Sequence, residues 1–491
     1  MPAFEVTDLF RTLANIFKIP ELRTKLLFTI GMLCVYRIGF YVPLPGVDTG
    51  MVTQFIHGSG SGTAFSQISN YLSLFSGGGL QYSTLFGLGI MPYISAAIIF
   101  QLLGTVIPSL EKLQKEGEPG MRKINEWTRY ATVVLCIIQS VVWLRYLTNT
   151  SPSHAHGFLY KTVFYHHYVL FWITGICALT AGSIFLMWLG EQIDAYGIGN
   201  GVSLIIMAGI VSRMPSAIRD LWKHSTFHLG GSAVHRYGIG TMLFLVAAFV
   251  CVSAGAVILE QAQRRISIQQ AKHVRGNRVY GGQMQYLPLR VNHGGVMPII
   301  FASSLMLIPS VVFQLGFFTQ HFGNYAWFQI FVESIQIGAF FYIVAYVAMI
   351  FFFSYFWNTV QFQPKEMADQ LRDYGSFIKG LRPGKRTAEY LENVMARVTY
   401  CGAAFLAVIA LVPTVISSYL GINFMITQFL GGTGLLITVS VMLDFINRVE
   451  ANLVMRNYGG LTDGPSGSPS PRRRPTPGRQ LGGTNVSESA A

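Results

Sequence analysis

Apolar segments of about twenty residues recur along this chain and limit its fold more than any other feature. A helix rises 1.5 Å per residue, so a run of this length crosses the hydrocarbon core of a bilayer. Unbroken runs predict helices, because the strands of a membrane barrel are short and alternate in polarity. We expect an all-α polytopic membrane protein with ten spans, at residues 24–42, 82–106, 130–150, 168–189, 200–218, 238–259, 294–315, 336–358, 398–418 and 430–447.

The composition agrees with a membrane protein. Hydrophobic residues make up 51% of the chain and charged residues 12%, with a mean hydropathy of +0.44, whereas soluble domains carry about 25% charged residues. The five cysteines all fall in predicted spans without CxxC spacing, so we expect packing roles and no disulfide. They are Cys34, Cys136, Cys177, Cys251 and Cys401.

Lysine and arginine are concentrated on one side of the predicted membrane. Of the 35 basic residues, 28 fall before residue 26, in three loops, and from residue 448 onward; the loops are 108–129, 261–290 and 361–397. Cytoplasmic segments carry such an excess, so both termini are expected in the cytoplasm. The net charge of +13 then belongs to the cytoplasmic face and suits anionic lipids or an acidic or RNA-bearing partner.

The segments between spans predict the domain organisation. Residues 1–23 are expected to form an amphipathic helix at the membrane surface, and the Pro/Gly/Ser/Arg-rich tail 459–491 is typical of disorder. Loop 260–290 alternates like a projecting β-hairpin, while loop 361–397 predicts a short helix, a turn and a second helix. Ten spans also suit two inverted five-helix halves, residues 24–218 and 219–458.

No pattern of catalysis, cofactor binding or metal binding stands out. The stretch GLRPGKRT at 380–387 has too few residues between its glycines for a phosphate loop, and GIGNGV at 197–202 has no preceding strand. The histidines of one outer loop are expected to be solvated rather than metal ligands: His154, His156, His166 and His167. We therefore expect no enzyme, no cofactor and no metal.

The interiors of the spans are almost free of charge; Arg37 and Asp444 lie toward span ends. A transporter of small solutes normally keeps ionisable residues near the midplane, and a membrane-embedded enzyme needs a catalytic pair there. Aliphatic residues instead share helix faces at i, i+4, as Ile90 and Ile94 do. Such faces favour ordinary packing; the alternative is a conduit whose contacts with its cargo are non-specific.

Several long segments, in order from about residue 24 to 458, resemble the SecY family, the central subunit of the bacterial Sec protein-conducting channel. They include YRIGFYVPLPGVD, LFSGGGL, LGIMPYISAAIIFQLL, KEGEPGMRKINEWTRY, FLMWLGEQIDAYGIGNGVSLII, QRRISIQQAKHVRGNRVYGG, LPLRVNHGGVMPIIFASS, FQPKEMADQLRDYGSFIKGLRPGKRTAEYL and GGTGLLITVSVMLDF. The His-rich loop 149–167 and the carboxyl tail depart from the family's pattern.

The resemblance implies a channel that passes unfolded secretory proteins across the bacterial plasma (inner) membrane. Transmembrane segments would leave through a lateral gate between spans 82–106 and 294–315. A ring of aliphatic side chains would form the constriction: Ile90, Ile94, Val202, Ile206, Ile300 and Ile437. A displaceable half-helix, the plug, would fill the outer side of the resting pore: Tyr71, Leu72, Ser73, Leu74, Phe75, Ser76, Gly77, Gly78, Gly79 and Leu80.

The resemblance also implies partners. SecE- and SecG-type small membrane subunits, anionic lipids, signal sequences and nascent polypeptides are expected, and the SecA ATPase or a translating ribosome would supply the driving energy. The two cytoplasmic loops would dock SecA and the phosphates of ribosomal RNA. Eight residues are implied in this docking: Arg264, Arg265, Lys272, Arg275, Arg278, Arg382, Pro383 and Gly384.

Overall fold

The computed structural model describes most of the predicted spans and loops. The described residues are 20–47, 83–149, 168–223, 238–270, 273–275, 278–280, 284–292, 294–314, 325, 330–332, 334, 339–381, 384–420, 426 and 432–462. The predicted plug, nearly all of the amino-terminal segment 1–23, nearly all of loop 149–167 and all of the tail beyond residue 462 lie outside them. The chain divides into two compact units, residues 1–446 and 447–491.

Helices dominate the described part. They are α1 (Pro20–Gly39), α2 (Met91–Val106), α3 (Pro108–Lys115), α4 (Glu118–Asn149), α5 (Tyr168–Tyr196), α6 (Gly201–Lys223), α7 (Ile239–Gln261), α8 (Met297–Gln314), α9 (Phe340–Gln361), α10 (Pro364–Asp373), α11 (Lys385–Leu420) and α12 (Thr433–Thr462). Each of the ten predicted spans contains one of these helices in whole or in part.

Six of these helices are long and apolar enough to cross a membrane: α4, α5, α6, α7, α9 and α11. The pair α2 and α3, bent by 103° at the break before Pro108, makes a seventh if it is taken as one span. The chain is therefore a mostly helical, polytopic membrane protein. Of the five cysteines, Cys136 is buried, whereas Cys34, Cys177, Cys251 and Cys401 are exposed on the surface of the isolated chain.

The second predicted span starts later than the sequence indicates. Residues 83–90 form turns, and helix α2 begins only at Met91, with Pro92 in its first turn. Gly89 has φ +61°, a conformation that favours glycine, and the fixed φ of Pro92 suits a helix start. The apolar run therefore contains a turn region that hydropathy alone does not reveal.

The turn region is joined to the end of the first helix. Leu44 donates a backbone hydrogen bond of 2.9 Å to the carbonyl of Ser83, and Leu85 donates one of 2.9 Å to Val42. Residues 42–44 and 83–85 thus pair antiparallel. These paired residues flank segment 48–82, which contains the predicted plug.

Strands form in the two long loops that the distribution of basic residues predicts to be cytoplasmic. They are β1 (Gln263–Gln270), β2 (His273–Arg275), β3 (Arg278–Tyr280), β4 (Met284–Arg290) and β5 (Ser376–Ile378). Strands β1 and β4 pair antiparallel, which confirms the predicted hairpin, and β2 pairs with β3. Strand β5 comes from the second loop, where no strand was predicted, and adds to the free edge of β1 to give the order β4-β1-β5.

The helices pack in two groups. The more extensive helix contacts in the described part join members of α1–α6 to one another, such as α2 with α4 and α4 with α5. They also join members of α7–α11 to one another, such as α8 with α9 and α9 with α11. The largest apolar cluster takes residues from both groups and from α12.

Candidate functional site: an isoleucine cluster and a cytoplasmic sheet

The five predicted isoleucines of the ring lie together in the largest apolar cluster. Their exposed fractions range from 0% at Ile437 to 6% at Ile94, and Val202 is partly buried and packs against the same cluster. The residues come from four helices that lie far apart in sequence: α2, α6, α8 and α12. An aliphatic cluster has no fixed hydrogen-bond pattern, so it can close around varied peptide chains and exclude water by dewetting.

Each ring residue lies near the amino-terminal end of its helix. Ile90 is the N-cap residue of α2. The N–H of Ile94 donates a hydrogen bond of 3.1 Å to the carbonyl of Ile90, so the two side chains share one face of the helix. The N–H of Ile300 donates 3.1 Å to the Val296 carbonyl in the first turn of α8. Ile437 is the fifth residue of α12. The positions of these helix starts therefore set the geometry of the cluster.

The stretch GIGNGV, which resembles a nucleotide-binding motif, is instead the turn that starts α6. The side-chain oxygen Oδ1 of Asn200 accepts a hydrogen bond of 3.0 Å from the N–H of Ser203, as the side chain of an N-cap residue does. A Cβ at Gly201 would lie 2.1 Å from the carbonyl oxygen of Gly190. The glycine therefore lets α6 begin directly against α5, one residue before Val202.

The hairpin base is tied to the membrane helices. The N–H of Val291 donates a hydrogen bond of 2.9 Å to the carbonyl of Ala262. These residues directly adjoin Gln263 and Arg290, the last pair of the β1–β4 register. Strand β1 thus leaves α7 directly, and β4 leads through a short turn into α8.

The sheet has one buried face and one outer face. Ile266, Leu289 and Ile378 are buried against the amino-terminal part of α11. Directly paired residues share a face, so Arg265, paired with Pro288, lies on the outer face with Tyr286, which is 62% exposed. Arg264 projects from the opposite face because side chains alternate along a strand, so the two arginines do not form one patch.

Other predicted docking residues are only partly described. In the register of β2 and β3, Arg275 lies opposite Arg278 at the outer end of the hairpin. Gly384, with φ +112°, directly precedes α11. Lys272, Arg382 and Pro383 lie outside the described residues.

A cleft of about 710 Å³ lies away from the isoleucine cluster, between α9, α10 and the start of α11. Its lining mixes cations and anions, including Lys365, Asp369, Lys385 and Glu389. Among the described residues, no three His, Cys, Asp or Glu side chains come together in a way that could hold a metal ion.

One polar group near the ring was missed. Hydropathy predicts that Glu260 begins the loop, but it lies in the last turn of α7 and accepts hydrogen bonds from Ser440 of α12 and from Asn292. The sequence signal is a carboxylate directly after an apolar run. Its partners lie 180 and 32 residues away, so spacing alone could not find them.

The comparisons with known proteins agree on one family. A model of the SecY family matches residues 84–446. The chain is similar to the protein translocase subunit SecY of Thermotoga maritima, with 38% identity over 452 residues that cover 92% of this chain and 97% of that protein.

Two solved structures share the fold. One is a SecY channel whose plug domain stabilises the closed state and maintains a membrane seal; the TM-score is 0.57 at 19% identity, covering 92% of this chain and 99% of that one. The other is Sec61 in the canine ribosome–channel complex from the endoplasmic reticulum; the TM-score is 0.55 at 19% identity, with the same coverage. The family model and the relative together span the isoleucine cluster, the hairpin and the membrane helices, and the chain therefore belongs to the SecY family.

Proposed function

We infer that this chain is the channel subunit of a Sec translocon. It passes unfolded secretory proteins across the bacterial plasma membrane and releases transmembrane segments sideways into lipid. The observation that carries this function is that all five predicted ring isoleucines, supplied by four separate segments of a SecY-family chain, are buried in the same apolar cluster. The family is one of channel subunits rather than enzymes, as the sequence predicts.

The ring is proposed as the constriction of the pore. Ile90, Ile94, Ile206, Ile300 and Ile437, with Val202 beside them, line the path of the polypeptide and seal it at rest. Their burial in one cluster between both helix groups supports this role. Small shifts of the helices would widen an aliphatic ring without leaving a polar group unpaired.

The plug is proposed at residues 71–80. Backbone hydrogen bonds join the residues that flank the segment that contains it. Two residues separate Leu80 from Ser83, so the chain spans three Cα–Cα steps and the end of the plug stays within about 11 Å of Ser83. Ser83 directly precedes the turns that lead to Ile90, which suits a plug seated against the ring.

The lateral gate is proposed between α2 and α8. The more extensive contacts of α2 in the described part are with α3, α4 and α5, and those of α8 are with α9. The two helices therefore belong to different packing groups, and parting them does not disrupt either group. This grouping supports ten spans in two halves, residues 24–218 and 219–458.

The cytoplasmic sheet is proposed as the docking surface for SecA and the ribosome. Its outer face carries Arg265 and Tyr286, and β2–β3 carries two further arginines. Contacts of this kind act on phosphates without reading bases. SecE- and SecG-type subunits, anionic lipids and an inner-membrane location with both termini in the cytoplasm complete the proposal; the distribution of basic residues supports the orientation.

The first experiment places a photoreactive residue at position 94 of the channel, reconstituted with its partner subunits. A secretory precursor is arrested partway, with SecA and ATP present. Position 99 on the same helix is the control, because Ile99 is 43% exposed whereas Ile94 is buried. We expect crosslinks from position 94 to mature precursor segments, dependent on ATP, and none from position 99.

Protected precursor without crosslinks at position 94 would show that the path lies elsewhere and would remove the ring assignment. Failure to protect any precursor, with all partners supplied, would contradict the channel function itself.

A further inference from the structure

The carboxyl group of Glu260 joins three elements next to the ring. Its Oε1 accepts a hydrogen bond of 3.0 Å from Oγ of Ser440 on α12. Its Oε2 accepts one of 3.3 Å from Nδ2 of Asn292, in the turn between β4 and α8. The same Nδ2 donates 2.9 Å to the carbonyl of Gly295. One side chain at the end of α7 therefore contacts both the start of α8 and α12.

These contacts lie one turn from two ring residues. Ser440 follows Ile437 by three residues on α12, so both occupy the same face of that helix. Gly295, with φ +56°, precedes Val296, whose carbonyl accepts the first helical hydrogen bond from Ile300. Glu260 thus spans the short distance between the turn before Ile300 and the turn after Ile437.

The hydrogen bonds of Glu260 lie in a buried environment, where the loss of a hydrogen-bond partner destabilises the protein. Asn292 and Ser440 are buried, with exposed fractions of 7% and 9%. A buried polar group that loses its partner retains its desolvation penalty, and networks of this kind fix one arrangement of the groups that they join. Apolar contacts in the ring are less directional, because side chains of similar volume can repack.

We propose that Glu260 is a positioning residue for the ring, holding α8 and α12 in the register at which Ile300 and Ile437 close the resting pore. The proposal rests on the channel function proposed above. Glu260 itself does not enter the ring; it acts through the turn that starts α8 and through Ser440. The register of two ring residues is therefore set by hydrogen bonds, while the seal itself is apolar.

The test compares resting ion conductance and precursor translocation for the complete channel with its partner subunits, reconstituted in lipid bilayers. The variants are Glu260→Ala, Glu260→Gln, Ser440→Ala and the double variant Glu260→Ala with Ser440→Ala. Glu191→Ala is the matched control. It removes a carboxylate that accepts a hydrogen bond of 2.8 Å from Nε of Arg129. That contact joins α4 to α5 and involves neither α8 nor α12.

We expect Glu260→Ala to raise the resting conductance about tenfold, the order expected when a buried group loses its partner and a closed population shifts. Glu260→Gln should keep the resting conductance of the wild type. Its amide oxygen can accept the hydrogen bond from Asn292, and its amide N–H can donate one to the hydroxyl of Ser440. Ser440→Ala also leaks, and the double variant leaks no more than Glu260→Ala, since both remove one network. Glu191→Ala conducts like the wild type.

Three results would overturn the proposal. One is wild-type resting conductance in Glu260→Ala or, if that variant does not fold, in Ser440→Ala, while the channel still translocates precursor. Another is a leak in Glu260→Gln equal to that of Glu260→Ala. The third is an equal leak in Glu191→Ala, which would indicate a general loss of packing. A wild-type channel that moves no precursor would instead contradict the proposed function.

Discussion

The backbone N–H of Gly201 donates a hydrogen bond of 2.7 Å to Oδ1 of Asp194, across the turn between α5 and α6. The bond fixes the first residue of α6 directly before Val202, which packs against the isoleucine cluster. The start of α6 is thus determined by side-chain and backbone polar contacts, and the ring residues of that helix follow from it.

Replacing Gly201 with alanine should destabilise the protein. The new Cβ would meet the carbonyl oxygen of Gly190 at 2.1 Å, so α5 and α6 must separate, at a cost of about 1–3 kcal/mol. The measurement is the thermal unfolding midpoint of the purified channel in detergent. Gly240→Ala is the control, because nothing lies within 4 Å of a Cβ at that helical position. A midpoint equal to that of the control variant would contradict the close approach.

Removing the cap of α6 should have a smaller effect. Asn200→Ala loses the 3.0 Å hydrogen bond to the N–H of Ser203, which is worth about 1 kcal/mol at an N-cap. Asn200→Asp keeps the acceptor and places a negative charge at the helix start, where it is favourable. The free energy of unfolding should therefore be higher for both the wild type and the aspartate variant than for the alanine variant. An alanine variant as stable as the aspartate variant would exclude a capping role.

Polar side chains in the ring should weaken its seal. Ile90→Asn combined with Ile94→Asn introduces two amides into a buried aliphatic surface, which favours wetting of the closed pore. We expect a severalfold rise in resting ion conductance in planar bilayers. Ile99→Asn on the same helix, at an exposed position, should leave the conductance unchanged. Equal conductance in the double variant and the wild type would move the constriction away from α2.

Deleting residues 72–79 should produce a channel that still translocates precursor but leaks ions at rest. The deletion removes most of the proposed plug and leaves in the chain the bridged segments 42–44 and 83–85 that flank it. Conductance and precursor protection should be measured on the same preparation. Unchanged resting conductance, in a channel that remains active, would remove the plug assignment.

Reversing the charge at Arg382 should weaken SecA-driven export far more than it affects insertion of the channel into the membrane. A glutamate there would repel the acidic partner surface that a basic loop is suited to bind. Export of a precursor by vesicles is the measurement, with the amount of inserted channel as reference. Lys379→Glu, in the same loop and exposed, is the control for charge alone. Export by the Arg382 variant equal to that of this control would argue against a special docking role.

Local patterns predicted much of the fold. The hairpin of loop 260–290 was predictable because alternation and a glycine-rich turn lie within one short segment, and the observed β1–β4 register confirms it. The start of α2 was not predictable from hydropathy. A hydropathy average includes Gly89 and Pro92 in the apolar run and does not reveal the turn before the helix. Strand β5 was missed for a different reason: it has three residues, and its partner β1 lies more than a hundred positions away.

The site shows the same division. The resemblance to a known family indicated which isoleucines to group, and the structure places all five of them in one cluster. Spacing within one helix could pair Ile90 with Ile94, but no local pattern could bring Ile300 beside Ile437. The hydrogen bonds of Glu260 were beyond sequence reasoning, because a carboxylate at the end of an apolar run is equally typical of a solvated loop.

The third strand of the cytoplasmic sheet has a consequence for biosynthesis. The β1–β4 hairpin is complete once residue 290 has been made, whereas β5 ends at residue 378. A ribosome adds about 5–20 residues per second, so the part of the β1 edge that β5 covers, Ile268–Gln270, stays unpaired for roughly 4–18 s while α8 and α9 are synthesised. An open strand edge pairs readily with other chains. Translation pauses between residues 290 and 378 therefore lengthen the time for which this edge can pair with another chain.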